Sequence, residues 1–156
     1  MTKKSDQRPQ IRISWKEFDK GSKDIIRQIR LFPGREYDQI ICVSTGGLFV
    51  GGIVAKKLNI KNISIINAYK YREDNKSFNK VHISSDIPAV SESALLVDDI
   101  FDSGETMTIV LDTIKRKRMP EKVDTCCLYT KCSSIYPKPT YYYRTVDKWV
   151  KFPWED

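Results

Sequence analysis

One histidine, His82, stands in a chain of 156 residues, and no second histidine or cysteine lies at ligand spacing from it. That argues against a zinc site, which needs clustered imidazole and thiolate donors. The four cysteines, Cys42, Cys126, Cys127 and Cys132, show no Cys-x-x-Cys spacing. They fall in or just after segments that read as strands, and are expected to be reduced thiols, mostly buried. No apolar run reaches membrane length, no signal-peptide pattern opens the chain, and no internal repeat is present. A membrane protein is therefore not expected, and the expected location is the cytoplasm. No helix-turn-helix pattern precedes Ser14, and the basic residues are scattered apart from Lys115-Arg116-Lys117-Arg118. That run falls in the last turn of an expected helix, where cations complement the helix dipole, so nucleic acid is not an expected partner.

What remains is a chain of the length of one domain, with 27 Lys and Arg against 20 Asp and Glu and a net charge of +7. A basic surface of this kind suits anionic small substrates. Helical and strand patterns alternate, which predicts an α/β fold. Residues 1–10 are polar and expected to be flexible, with one domain over 11–156. Ile11 to Ser14 reads as a short strand. Ser14, with Glu17 three residues on, is a capping box for a helix that runs to about Leu31 and stops at Pro33-Gly34. Gln39–Ser44, Asn62–Asn67, Ala94–Val97 and Lys122–Thr130 read as buried strands; Leu48–Leu58 and Glu105–Arg118 read as helices. Residues 68–93 are polar and too long for a simple connection, so they are read as a β-arm or mobile lid. Residues 133–156 carry Pro137, Pro139, Pro153 and an aromatic cluster, and are read as a small C-terminal hood.

The most informative stretch is Leu95-Leu96-Val97-Asp98-Asp99-Ile100-Phe101-Asp102-Ser103-Gly104-Glu105-Thr106. An apolar strand stops at two adjacent acids, a third acid follows, and a small hydroxyl-rich turn opens a helix. A parallel sheet presents ligand sites at its carboxyl edge in this way. Backbone N–H groups at a helix start suit a phosphate, Gly104 permits close approach, and the carboxylates suit sugar hydroxyls or a divalent cation. The loop thus has the chemistry a phosphorylated sugar needs.

This stretch resembles the phosphoribosyl pyrophosphate (PRPP) signature of type I phosphoribosyltransferases. The resemblance extends from Ser14 to Glu155 and is strongest to the bacterial xanthine-guanine, or 6-oxopurine, group. Three further segments carry it. Val43-Ser44-Thr45-Gly46-Gly47-Leu48 resembles that group's Ser-Arg-Gly-Gly-Leu pyrophosphate loop. Tyr129-Thr130-Lys131 ends a strand where the group places a lysine that donates to the purine 6-oxo group. Asp147-Lys148-Trp149-Val150-Lys151-Phe152-Pro153-Trp154-Glu155 resembles its closing stretch, in which a tryptophan stacks on the purine and the next residue offers a backbone carbonyl.

The resemblance implies a parallel-sheet type I phosphoribosyltransferase fold with a lid and a hood. It implies transfer of the 5-phosphoribosyl group from PRPP to N9 of guanine, xanthine or hypoxanthine, giving a nucleoside monophosphate and pyrophosphate. Asp102 is then the general base. Asp98 and Asp99 hold the ribose; Ser103, Gly104, the Glu105 amide and Thr106 hold the 5′-phosphate; Ser44, Thr45, Gly46 and Gly47 hold pyrophosphate. Lys131, Trp149 and Val150 take the base. Magnesium is the implied cofactor, on Asp99 with Asp98 and Glu155 as further candidates, and a homodimer or homotetramer is implied. Trp154 is read as a core residue. Thr45 stands where the family has arginine or lysine, so a lid cation is expected to compensate. Lys70, Arg72, Lys76 and Lys80 are candidates, the first two beside Tyr69. Thr45 also keeps open a second reading, a nucleotide-sensing regulator on the same fold; a pyrimidine or orotate enzyme is disfavoured by the Trp149 tail.

Overall fold

The computed structural model describes residues 9–72, 79–84 and 86–155. The chain runs β1 (Gln10–Arg12), α1 (Trp15–Arg30), β2 (Gln39–Ser44), α2 (Gly46–Leu58), β3 (Asn62–Arg72), β4 (Asn79–Ile83), β5 (Ser93–Val97), β6 (Ile100–Phe101), α3 (Glu105–Arg118), β7 (Lys122–Lys131), β8 (Tyr141–Val146) and β9 (Trp149–Lys151), closing on a 3₁₀ turn at Pro153–Glu155. The main sheet has the spatial order β4-β3-β2-β5-β7-β8. Among the described strands, only β4 is antiparallel to its neighbour. This is the expected α/β, mainly parallel architecture.

Parallel strands covered on both faces must be apolar on both faces. In β2, Ile40 and Cys42 face one cluster together with Phe18, Ile25 and Val50 of α1 and α2. Ile41 and Val43 face the other, with Met107, Val110 and Ile114 of α3. The chain leaves β2 through α2 to β3 on one side, and leaves β5 through α3 to β7 on the other. Strands β2 and β5 are neighbours, so their connections diverge, and a crevice opens at their carboxyl ends.

The N-terminal cap of α1 forms as expected in one half only. Ser14 Oγ accepts from the Glu17 amide at 3.2 Å. The Glu17 carboxylate does not close the box; it takes Tyr143 OH at 3.0 Å and Arg144 at 3.3 Å, because β8 lies within its reach. Helix α2 starts at Gly46 rather than Leu48, so both glycines belong to its first turn. Strand β3 runs on past Asn67 to Arg72, because β4 pairs with its far half, Ala68↔Ile83 through Arg72↔Asn79. Within residues 133–156, Tyr141–Val146 forms an edge strand of the sheet: it pairs with β7 from Cys126↔Tyr141 to Lys131↔Val146. Residues 1–8 lie outside the described part, but Pro9 and Gln10 do not behave as a free end. Pro9 O accepts from Trp149 N at 3.0 Å, and β1 pairs in parallel with β9.

The four cysteines are free thiols, three of them buried. Burial pushes the Cys42 thiol up to about 11, so it stays protonated. Among the described residues no helix is long and apolar enough to cross a membrane, and no group of three or more His, Cys, Asp or Glu could hold a metal ion by itself.

Candidate active site

The crevice at the β2–β5 switch holds a cavity of about 270 Å³. Three segments line it: Ser44-Thr45-Gly46 at the end of β2, Ala68-Tyr69-Lys70 in β3, and the loop from Asp98 to Gly104 with Thr106. Gly47 and Glu105 lie outside the lining, as do Lys131, Trp149, Val150 and Glu155.

The acid pair interrupts a strand that would otherwise be continuous. Val97 pairs with Cys126 in β5 and Ile100 with Tyr129 in β6, so the register resumes unshifted beyond the pair. Asp98 N donates to Cys126 O at 3.0 Å, and Asp99 O accepts from Leu128 N at 3.1 Å. The backbone of the pair is thus pinned by β7. Asp98 Oδ1 accepts from Asp99 N at 2.8 Å. Burial, with Asp99 beside it, holds the Asp98 carboxyl well above the ordinary carboxylate range. Burial likewise pushes Asp99 up to about 6, and Glu155 adds to the shift. Two acids crowded in a poorly solvated crevice are disfavoured as anions unless a cation or donors arrive.

The glycines of the facing loop are required by this crowding. A side chain at Gly46 would overlap the Asp99 carboxylate, and one at Gly47 would overlap the Val97 carbonyl. The Ser44–Thr45 peptide bond is cis. Thr45 precedes α2 without a side-chain capping bond.

The loop before α3 is braced from outside. Ser134 Oγ donates to Ser103 O at 3.1 Å. Gly104 has φ +88°, and a side chain there would run into the Phe101 ring and Tyr136. No local pattern in the sequence pointed to Ser134 and Tyr136, since their contacts come from about thirty residues away. Gly104→Ala combines left-handed strain with overpacking, so a loss of about 2–5 kcal/mol is expected. Denaturant unfolding measures it, and a loss below about 1 kcal/mol would mean the loop relaxes freely.

Four further expected residues lie outside the cavity lining. Phe101 pairs with Thr130, so Asp102 and Lys131 are the next residues along adjacent strands. Lys131 is 7 % exposed, and its ammonium donates to the Lys148 carbonyl and lies 6.0 Å from the Trp149 ring centroid. Val150 is buried in β9. Glu155 accepts from Phe152 N at 2.7 Å, tying its carboxylate to the hood backbone. Trp154 is stacked between Phe49 at 4.3 Å and Phe152 at 4.6 Å, and Phe49 comes from α2, so Trp154 packs as a core residue. Lys76 and the side chain of Arg72 lie outside the described residues; Lys80 pairs with Tyr71 through the hairpin.

A model of the phosphoribosyl transferase domain matches residues 14–155. The chain belongs to the phosphoribosyl transferase family. It is 30% identical over 146 residues to the xanthine-guanine phosphoribosyltransferase of Idiomarina loihiensis, covering 92% of this chain and 85% of that one. Among solved structures it is similar to the Helicobacter pylori xanthine-guanine-hypoxanthine phosphoribosyltransferase, with TM-score 0.82, 25% identity and 94% of each chain covered. It is also similar to a purine phosphoribosyltransferase of Pyrococcus horikoshii, with TM-score 0.81, 25% identity and 95% of each chain covered. Phosphoribosyltransferase chemistry needs a place for a phosphorylated sugar, a leaving pyrophosphate and a base. The two acid- and glycine-bearing loops meet at the cavity, and Lys131, next to Trp149, follows the β7 residue that pairs with Phe101 of its lining.

Proposed function

We propose that this phosphoribosyltransferase serves purine salvage, moving the 5-phosphoribosyl group of PRPP to N9 of a 6-oxopurine. The observation that carries the reading is the convergence of Gly46 and Asp99, from two different loops, on one crevice whose acids are held in unfavourable solvation. In the reaction the bond from the ribose carbon to pyrophosphate breaks and the bond to N9 forms, while the base gives up a proton. Asp102, exposed at the cavity edge, takes that proton near N7. The N-terminal turn of α3, with Ser103, Gly104, Glu105 N–H and Thr106, receives the 5′-phosphate. The Ser44–Gly47 segment offers backbone donors to pyrophosphate. Asp98 and Asp99 hold the ribose hydroxyls.

Magnesium fits this donor set. Two carboxylates and no complete protein cage among the described residues match an ion that keeps water and substrate phosphate among its ligands. Asp99, with Asp98, would hold it; Glu155 is the more remote candidate, its carboxylate engaged at Phe152 N. When bound, the ion neutralises the leaving pyrophosphate. A cytoplasmic location and a homo-oligomer accompany the reading, as does a functional division into a lid at about 68–93 and a hood at about 133–156.

The deciding experiment incubates the protein with PRPP, magnesium and guanine, xanthine, hypoxanthine or adenine in turn, and detects nucleoside monophosphate. Product with an oxopurine is expected; tight PRPP binding without product from any base would instead favour a nucleotide-sensing protein, the reading that Thr45 keeps open. Lys131 would exchange the Lys148 carbonyl for the purine 6-oxo group, whereas Trp149 would offer a face that any purine can use. Lys131→Ala is therefore expected to lower oxopurine kcat/KM roughly 10–100-fold with adenine little changed. Trp149→Ala is expected to weaken all bases together, by about 1–3 kcal/mol. Equal losses for adenine and oxopurines in Lys131→Ala would rule out the oxo contact.

A further inference from the structure

Ser134 lies outside the cavity lining, yet its hydroxyl holds the backbone of the turn that starts α3. Ser134 Oγ is 3.1 Å from the Ser103 carbonyl oxygen and 3.3 Å from that of Tyr136, so one proton serves both. The end of β7 sets its place, since Ser134 N donates to Lys131 O at 3.4 Å. Ser103 and Gly104, by contrast, line the cavity. The Ser103–Gly104 peptide is trans. A planar trans peptide points its C=O and N–H in opposite directions. With the carbonyl turned to Ser134, the Gly104 N–H is turned away from it, to the cavity side.

Nothing in the turn's own sequence fixes that orientation. Gly104, at φ +88° and ψ −9°, has the dihedral angles of the second corner of a type II turn. Turning this one peptide over gives a type I turn, with the same corner at about −90° and 0°, which glycine adopts as readily. The flipped turn would present a carbonyl oxygen where a phosphate needs a donor. The Ser103 hydroxyl is engaged elsewhere: it accepts from Lys70 Nζ at 2.6 Å and from the Glu105 amide at 3.3 Å. Neither bond holds the 103–104 peptide.

We infer that Ser134 is a positioning residue for the 5′-phosphate: its hydroxyl selects the turn in which the Gly104 amide faces the site. This rests on the transferase reading and names a residue within it. Ser134 touches no substrate and acts through the Ser103 carbonyl. A phosphate oxygen gains a charge-assisted hydrogen bond from a correctly turned amide. One reversed peptide removes that bond and sets a carbonyl dipole against the anion. The Ser44–Gly47 segment is separate from this turn, so a ligand held there should not sense the change.

The test is Ser134→Ala in the full chain, with calorimetric titration of ribose 5-phosphate and of magnesium pyrophosphate, paired with steady-state kinetics. Ribose 5-phosphate is expected to bind roughly 5–20-fold more weakly, and the KM for PRPP to rise by a similar factor with kcat changed far less. Magnesium pyrophosphate is expected to bind as it does to the unmodified chain. Ser134→Thr, which keeps the hydroxyl, is expected to keep most of the ribose 5-phosphate affinity. In amide NMR spectra the Gly104 proton is expected to move downfield as ribose 5-phosphate saturates the unmodified chain, and to move less in Ser134→Ala. Unchanged ribose 5-phosphate affinity in Ser134→Ala overturns the inference and leaves the transferase reading intact. Equal losses for ribose 5-phosphate and pyrophosphate overturn it as well, because they mark a general loosening of the crevice. A loss in Ser134→Thr as large as in Ser134→Ala would deny the hydroxyl this role. If the unmodified chain binds neither ribose 5-phosphate nor PRPP, the transferase reading itself fails, and the inference with it.

Discussion

Asp102→Asn is expected to lower kcat roughly 10²–10⁴-fold while leaving the Kd for PRPP nearly unchanged. The residue sits on the exposed side of the β5–α3 loop, past the pinned acid pair and one step along from the Phe101↔Thr130 pairing. An amide there keeps the shape and loses only the ability to accept a proton. The loop's geometry depends on Gly104, Phe101 and the Ser134 brace, none of which involves the Asp102 carboxylate. Folding stability should therefore be untouched, and thermal unfolding of the variant checks that. PRPP binding by calorimetry and single-turnover rates separate the two effects. A variant with near-normal turnover would remove Asp102 from the chemistry; one that loses PRPP affinity and turnover together would make it a ligand for the sugar instead.

Asp99→Asn is expected to act in opposite directions on stability and on binding. Asp99 is pushed up to about 6, chiefly by burial, from an ordinary value near 3.8. The folded state thus binds the proton more tightly than the unfolded state does. Its favourable contribution is present below about pH 4, where both states are protonated, and is lost as pH rises through about 6. At pH 7.5 the folded protein carries an anion it solvates poorly. Replacing that anion with a neutral amide should raise ligand-free stability by about 1–3 kcal/mol at pH 7.5, with the gain disappearing near pH 4. Glu155 remains as a neighbouring acid, and less repulsion between it and position 99 works in the same direction. With Asp99 in its proposed role as a ligand of magnesium and the ribose, the ionised form is the binding form, so PRPP affinity of the unmodified protein should climb between about pH 5 and pH 7. The variant should lose that climb together with most of its affinity. Denaturant melts at pH 4 and 7.5, with PRPP titrations across the same range, measure both arms. A variant less stable than its parent at pH 7.5 would mean that the carboxylate is well paired in the folded state.

The gain in stability on losing a site residue follows from where the acids stand. They interrupt a strand that runs on beyond them in unbroken register, so β7 holds their backbone in place at the crevice while their side chains are only partly exposed. The glycines opposite serve the same arrangement, since only a residue without a side chain leaves room for the Asp99 carboxylate.

Much of this was legible in the order of residues. Apolar runs ending in acids or glycines marked the strands β2 and β5, and Ser14 marked the start of α1, because these signals depend on neighbours a few residues apart. The acid pair, the glycine turn and the hydroxyls of the α3 start were readable for the same reason. Other features required partners far along the chain. Strand β3 could be extended to Arg72 only by pairing with β4, and Tyr141–Val146 became a sheet strand only because β7 had a free edge for it. The Glu17 carboxylate was drawn from its own helix cap to Tyr143 and Arg144, and Pro9 was drawn to Trp149. Local chemistry, by itself, determined which segments are strands and helices and which residue types cluster at the sheet's carboxyl edge. Tertiary structure alone decided that Lys70 reaches Ser103 and that Lys131 rests on Lys148, because such contacts depend on how distant strands are set side by side.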